Sequence, residues 1–150
     1  MQQRNYQREM DALIASLDAR PRLLLHSCCG PCSSACLERL APHFDIDVFF
    51  YNPNILPAEE WEKRLFWQKH LLETAPFGKN VGLIVPERDE TAFRLAAAGL
   101  EAEAEGGARC TECFVLRLSR TAEAAREGGY DYFATTLTVS TTVGFWNLRP

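Results

Sequence analysis

Four cysteines crowd into one stretch, His26-Ser27-Cys28-Cys29-Gly30-Pro31-Cys32-Ser33-Ser34-Ala35-Cys36, and the remaining two of the six form a second Cys-x-x-Cys, Cys110-Thr111-Glu112-Cys113. Thiolates are soft ligands. If the fold brings the two clusters to one place, Cys28, Cys29, Cys110 and Cys113 offer up to four sulfurs, a set that suits tetrahedral zinc or an iron–sulfur cluster. Cys32 is the candidate for a reactive thiol. The tetrad Cys29-Gly30-Pro31-Cys32 also fits a thiol–disulfide redox protein, and several of these cysteines would equally well fill a core as small apolar side chains. Cys36, one helical turn beyond Cys32, is expected to pack rather than react. His26 is either a partner of the thiolates or a strand-end histidine satisfied by the backbone.

The elements that must position these groups follow from the pattern around them. Leu23-Leu24-Leu25 reads as a buried strand, about Arg22 to His26, and Pro31 in a first turn followed by Ala35, Leu37 and Leu40 reads as a helix that Pro42 closes. The cysteines then occupy a strand-to-helix turn, where the helix N-terminus favours anions and is expected to lower thiol pKa values. A helix within residues 1–20 carries Tyr6, Met10, Leu13, Ile14 and Leu17 at helical spacing. Asp45 to Tyr51 reads as a second strand, broken by Asn52-Pro53-Asn54. Pro57 to Thr74 is helical, with Trp61, Leu65, Leu72 and Phe66 inward; Val81 to Val85 is a third strand and Asp89 to Ala98 a further helix. Glu101 to Gly107 is a solvated acidic loop. The helix from Cys110 to Glu127 is expected to turn Phe114, Leu118, Ala122 and Ala125 inward, and Asp131 to Thr136 is a fourth strand.

Strands separated by helices imply an α/β fold with a doubly wound parallel sheet of about four strands, order 3-2-1-4. Ligands of such sheets bind beyond the carboxyl ends of the strands at the switch point, here next to the first strand. The cysteine turn falls there, and so do the second cysteine pair, Tyr51, Asn52 and Asn54, and Thr135, Thr136, Thr138 and Ser140. Arg109 and Arg117 flank the second pair, available to offset a thiolate cluster or to grip a phosphate.

A chain of 150 residues with 47% hydrophobic composition suits a single domain, residues 1–150. The net charge of −4 advertises no general affinity for nucleic acid, so an RNA partner would need a local basic face, for which Arg64, Arg109, Arg117 and Arg120 are the candidates. No apolar run suits a signal peptide or a bilayer span, so no membrane partner is expected. A cytoplasmic, reducing location follows, in which clustered cysteines read as ligands or redox groups rather than structural disulfides. Oligomeric state is not legible.

Three stretches together resemble the epoxyqueuosine reductase family of the QueH type: His26 to Cys32, Phe49-Phe50-Tyr51-Asn52-Pro53-Asn54-Ile55 with Glu60-Trp61-Glu62-Lys63-Arg64-Leu65, and Glu105 to Leu118 with Tyr130 to Ser140. The resemblance runs in order over roughly residues 22 to 140. It implies a three-layer, HUP/PP-loop-like architecture and a cobalamin-independent reductase that removes the epoxide oxygen of epoxyqueuosine in tRNA, the last step of queuosine synthesis. It implies an iron–sulfur metallocofactor (4Fe-4S), with room for an additional iron, and an external electron donor. Cys28, Cys29, Cys110 and Cys113 match the family's cysteine motifs, whereas Cys32 stands where members vary between Cys and Asp. The substrate contacts expected on this view are Tyr51, Asn52, Asn54, Arg64, Arg109, Arg117, Thr135 and Thr136. Family members continue into further strand and helix with a distal Tyr-Cys-Gly-Cys pair, which residues 141–150 do not match, so a truncated C-terminus with an uncovered sheet edge and uncertain activity is the expectation. Competing readings are a zinc-stabilised RNA-binding module or inactive relative, the thiol–disulfide protein, and an ATP-pyrophosphatase-like enzyme, whose Ser-Gly-Gly-x-Asp-Ser loop is absent from Ser27 to Ser33.

Overall fold

The computed structural model describes residues 5–139 and 146–147. Its elements are α1 (Tyr6–Ala15), β1 (Arg22–His26), α2 (Gly30–Leu40), β2 (Asp45–Phe49), α3 (Ala58–Thr74), β3 (Gly82–Ile84), α4 (Glu90–Ala96), α5 (Ala108–Glu127), β4 (Tyr132–Thr135) and β5 (Trp146–Asn147). One sheet runs in the order β3-β2-β1-β4-β5. Its first four strands are parallel in the expected 3-2-1-4 arrangement. The two-residue β5 adds an antiparallel strand beside β4 that the sequence pattern did not announce. Ser140 and residues 141–145 and 148–150, on which the remaining expectations for the tail fall, lie outside the described residues.

The central strand β1 explains the layering. Leu23 and Leu25 point to one side of the sheet and meet Leu37, Leu40, Phe44, Ile46 and Val48, with Met10, Leu13, Ile14, Leu17 and Cys36 packed around them. Leu24 points to the other side and meets Ala125, Tyr130 and Phe133. A strand buried on both faces needs a continuous apolar run, and each of the three leucines contributes roughly 1.5–3 kcal/mol by leaving water. Cys36 is thus a packing residue, as its spacing suggested.

Phe66 of α3 and Phe114 of α5 depart from the sequence expectation, while Ala125 is buried and Trp61, Leu65, Leu72, Leu118 and Ala122 are half-buried. Phe66 is 59% exposed, and it joins Trp67 and His70 in an aromatic group on the outer side of α3, while the buried residue of that helix is Gln68. On α5 the buried stripe is Cys113, Arg117, Thr121 and Ala125, so Phe114 lies outside. Helix α5 thus turns Arg117 and Thr121 inward and α3 one polar residue, Gln68, positions that a rule sending the largest apolar residues to the core does not select. Tyr6 likewise is largely exposed at the start of α1. Strand β2 ends at Phe49, short of Tyr51, although Phe50, Tyr51 and Asn52 remain buried beyond it.

Candidate metal centre

The turn between β1 and α2 is built by backbone geometry and a polar scaffold beneath it. Cys29 is the helix N-cap residue in extended conformation, and Pro31 occupies the first turn, where its missing N–H costs nothing. The Cys29 carbonyl accepts from the Ser33 hydroxyl at 2.8 Å and the Ser27 hydroxyl at 3.2 Å. Both hydroxyls also reach Gln68 Oε1, each at 2.7 Å, and they contact one another closely. From the strand side, the Ser27 N–H donates to the Phe49 carbonyl at 3.1 Å and Asn52 Nδ2 donates to the Ser27 carbonyl at 2.8 Å. Gly30 lets α3 approach: a Cβ there would stand 2.8 Å from the Trp67 carbonyl oxygen. Buried polar groups are costly unless paired, so this scaffold fixes the turn as a unit.

The scaffold gathers three sulfurs. The Sγ atoms of Cys28, Cys29 and Cys32 all lie within 4.8 Å of one another, and those of Cys28 and Cys29 are 3.9 Å apart. Among the described residues, no other set of three His, Cys, Asp or Glu side chains converges in this way. Burial raises the Cys28 pKa, helped by the charge of Cys29, and the Cys32 thiol is pushed up to about 12 by burial and by its bonds to and repulsion from its two neighbours. The helix N-terminus was expected to lower these values; desolvation and the crowding of like charges outweigh it. Three thiols held this close are a poor anion cluster until a cation joins them, and metal binding there would release protons.

His26 sits fully buried behind the turn. Its Nε2–H donates to the Tyr51 carbonyl at 2.9 Å, which leaves Nδ1 to accept from the Thr135 hydroxyl at 2.9 Å. The Thr135 oxygen in turn accepts from the Leu137 N–H at 3.2 Å. Burial drops the His26 pKa from 6.5 to about 4, so the ring is neutral at physiological pH. It is a satisfied structural histidine tying β1 to β4 and to the end of β2.

The other expected site residues are distributed as follows. Cys110 and Cys113 begin α5; the Cys110 sulfur accepts from the Gly106 N–H at 3.3 Å, and Cys113 is buried with its pKa raised by desolvation. Neither belongs to the three-sulfur group. Arg117 is buried one turn further on and bears electrostatically on Cys113, Cys28 and His26, which links the α5 face to the turn. Arg64 bears on Cys28 and Cys29 while paired with Glu60 at 2.8 Å. Arg109 is engaged elsewhere, donating to the Glu101 carbonyl at 3.1 Å. Tyr51 stacks on Phe49, and Asn54 Oδ1 and Thr136 Oγ1 are buried with no hydrogen-bond partner among the described residues. Sequence reasoning missed Ser27, Ser33 and Gln68. The signal was present in α3, where Gln68 shares a helical face with Trp61, Leu65 and Leu72, a polar residue in an apolar row.

Residues 23–145 match the family model described as Epoxyqueuosine reductase QueH. Curated relatives of that name include proteins of Staphylococcus epidermidis, 41% identical over 91% of this chain and 60% of their own length, and Streptococcus pyogenes, 38% identical over 91% of this chain and 55% of theirs. The Thermotoga maritima protein of the same name is 33% identical over 79% of this chain and 59% of its own. The chain thus spans about three fifths or less of the length of these relatives. The match covers the cysteine turn, the α5 cysteine pair and all four parallel strands, and by it the chain belongs to the epoxyqueuosine reductase QueH family.

Proposed function

We propose that this chain carries the metal-binding core of a reductase that removes the epoxide oxygen of epoxyqueuosine in tRNA. The observation that carries the reading is the convergence of Cys28, Cys29 and Cys32 at the switch point of a chain of this family. An all-sulfur donor set fits an iron–sulfur cluster, and zinc is the other ion that such donors suit. Cys28, Cys29 and Cys32 would hold the cluster, with Cys110 and Cys113 available from the start of α5.

Converting an epoxide to an alkene breaks two C–O bonds, forms a C=C bond and releases water, at the expense of two electrons and two protons. A bound cluster would supply the electrons, one at a time, from an external donor. The chain's own residues bind and orient. The buried oxygens of Asn54 and Thr136 lack partners among the described residues and suit the hydroxyl groups of a polyol substrate, and the buried Tyr51 and Asn52 follow the end of β2. Arg64 offers positive charge toward RNA phosphate, and Arg109 would have to leave the Glu101 carbonyl to do the same. Thr135 serves the substrate indirectly, because its hydroxyl is held by His26. Among the described residues no helix is long and apolar enough to cross a membrane. A tRNA substrate would put the enzyme in the cytoplasm.

The test is mass spectrometry of nucleosides from epoxyqueuosine-containing tRNA, after incubation with oxygen-free, iron-reconstituted protein and dithionite. The expected product has lost one oxygen. Unchanged nucleoside with fully reconstituted protein would oppose the assigned reaction.

A further inference from the structure

We propose that Arg117 is the built-in counter-charge of the cysteine centre, held in the core to neutralise the negative charge that the thiols acquire when they bind a metal. The inference rests on the reading of the cysteine turn as a metal centre and assigns a role to a residue outside the ligand set. Arg117 is only 5% exposed. A buried charge is costly unless it is paired. Its recorded partners carry no charge: Nε donates to the Cys113 carbonyl at 3.4 Å, and the guanidinium carbon lies 5.2 Å from the centre of the Phe114 ring. The more exposed Arg64 and Arg120 each hold a carboxylate, at 2.8 and 3.0 Å. No Asp or Glu meets Arg117 among the described residues, and residues 1–4, 140–145 and 148–150 contain neither.

Among the described residues the most buried arginine therefore lacks the anion that Arg64 and Arg120 have, and the groups on which it bears electrostatically include Cys28 and Cys113. Three thiolates on a divalent ion carry one net negative charge, which one guanidinium balances. The placement is fixed by the i, i+4 stripe Cys113, Arg117, Thr121 on the buried face of α5, where the Thr121 hydroxyl donates to the Arg117 carbonyl at 2.8 Å. Arg117 is thus a positioning residue acting on the metal through charge.

The role predicts opposite signs in two measurements. In an oxygen-free titration with Co²⁺, read by thiolate-to-cobalt absorption, Arg117→Met should bind at least about tenfold more weakly than wild type, while Arg117→Lys recovers most of the affinity. Metal-free Arg117→Met should unfold at a temperature no lower than wild type, because an unpaired buried charge has been removed. Wild-type binding with unchanged affinity in Arg117→Met would overturn the assignment alone. A metal-free Arg117→Met protein that unfolds well below wild type would overturn it in favour of a structural role. No Co²⁺ binding by the wild-type protein would remove the metal centre itself and this assignment with it.

Discussion

Cys29→Ser protein should retain no more than about a hundredth of the wild-type affinity for a thiophilic metal, measured by oxygen-free competition for Zn²⁺ against a chromophoric chelator. Loss of a group that merely supports a ligand costs about 10–100-fold, and loss of a ligand costs more. Cys29 is the residue to change because its sulfur lies against that of Cys28, at 3.9 Å, and belongs to the three that converge within 4.8 Å. Serine preserves the extended N-cap backbone and leaves the carbonyl that Ser33 and Ser27 hold, so the turn is retained while a soft donor becomes a hard one. Cys36→Ser is the matched control. That side chain packs against the core outside the sulfur group, so its replacement should leave the affinity unchanged.

The second large effect is a loss of stability in acid that traces to His26. Its folded pKa of about 4 lies below the ordinary 6.5, so the unfolded chain takes up a proton first as pH falls. The neutral ring's contribution is complete above pH 6.5 and drains away as pH falls toward 4. The loss by then amounts to about 3 kcal/mol from this residue. Urea unfolding of the metal-free protein at neutral pH and near pH 4, with His26→Gln alongside, isolates the term, because carboxylate titration is common to both proteins. The variant should start less stable, having lost the Tyr51 and Thr135 bonds in their present geometry, and should lose about 3 kcal/mol less on acidification. Parallel pH dependence in the two proteins would contradict the account of His26.

The strands and the cysteine turn were legible because their signals are local. An apolar run such as Leu23-Leu24-Leu25 between turn residues, followed by Gly30-Pro31, specifies strand, turn and helix with little help from the rest of the chain. Strand order followed from the helical crossovers. What could not be read was that polar residues of α3 and α5 turn inward, because Gln68, Arg117 and Thr121 are buried for reasons that lie in other elements. Gln68 is inside because its Oε1 meets two serine hydroxyls of the cysteine turn; its place in the apolar row of α3 is visible in sequence, but its partners are not. The thiol ionisation was misread for a similar reason. A helix N-terminus is visible in sequence, whereas the crowding of Cys28, Cys29 and Cys32 that outweighs it is a property of the folded turn.

The most direct test of the central claim is the iron and acid-labile sulfide content, with the visible absorption spectrum, of protein purified without oxygen, compared with Cys28→Ala and Cys110→Ala. The account predicts a brown protein containing both iron and sulfide, with a marked fall in both for Cys28→Ala; a parallel fall for Cys110→Ala would bring the α5 pair into the same centre. A colourless protein that holds zinc, or no metal even after reconstitution, would contradict it.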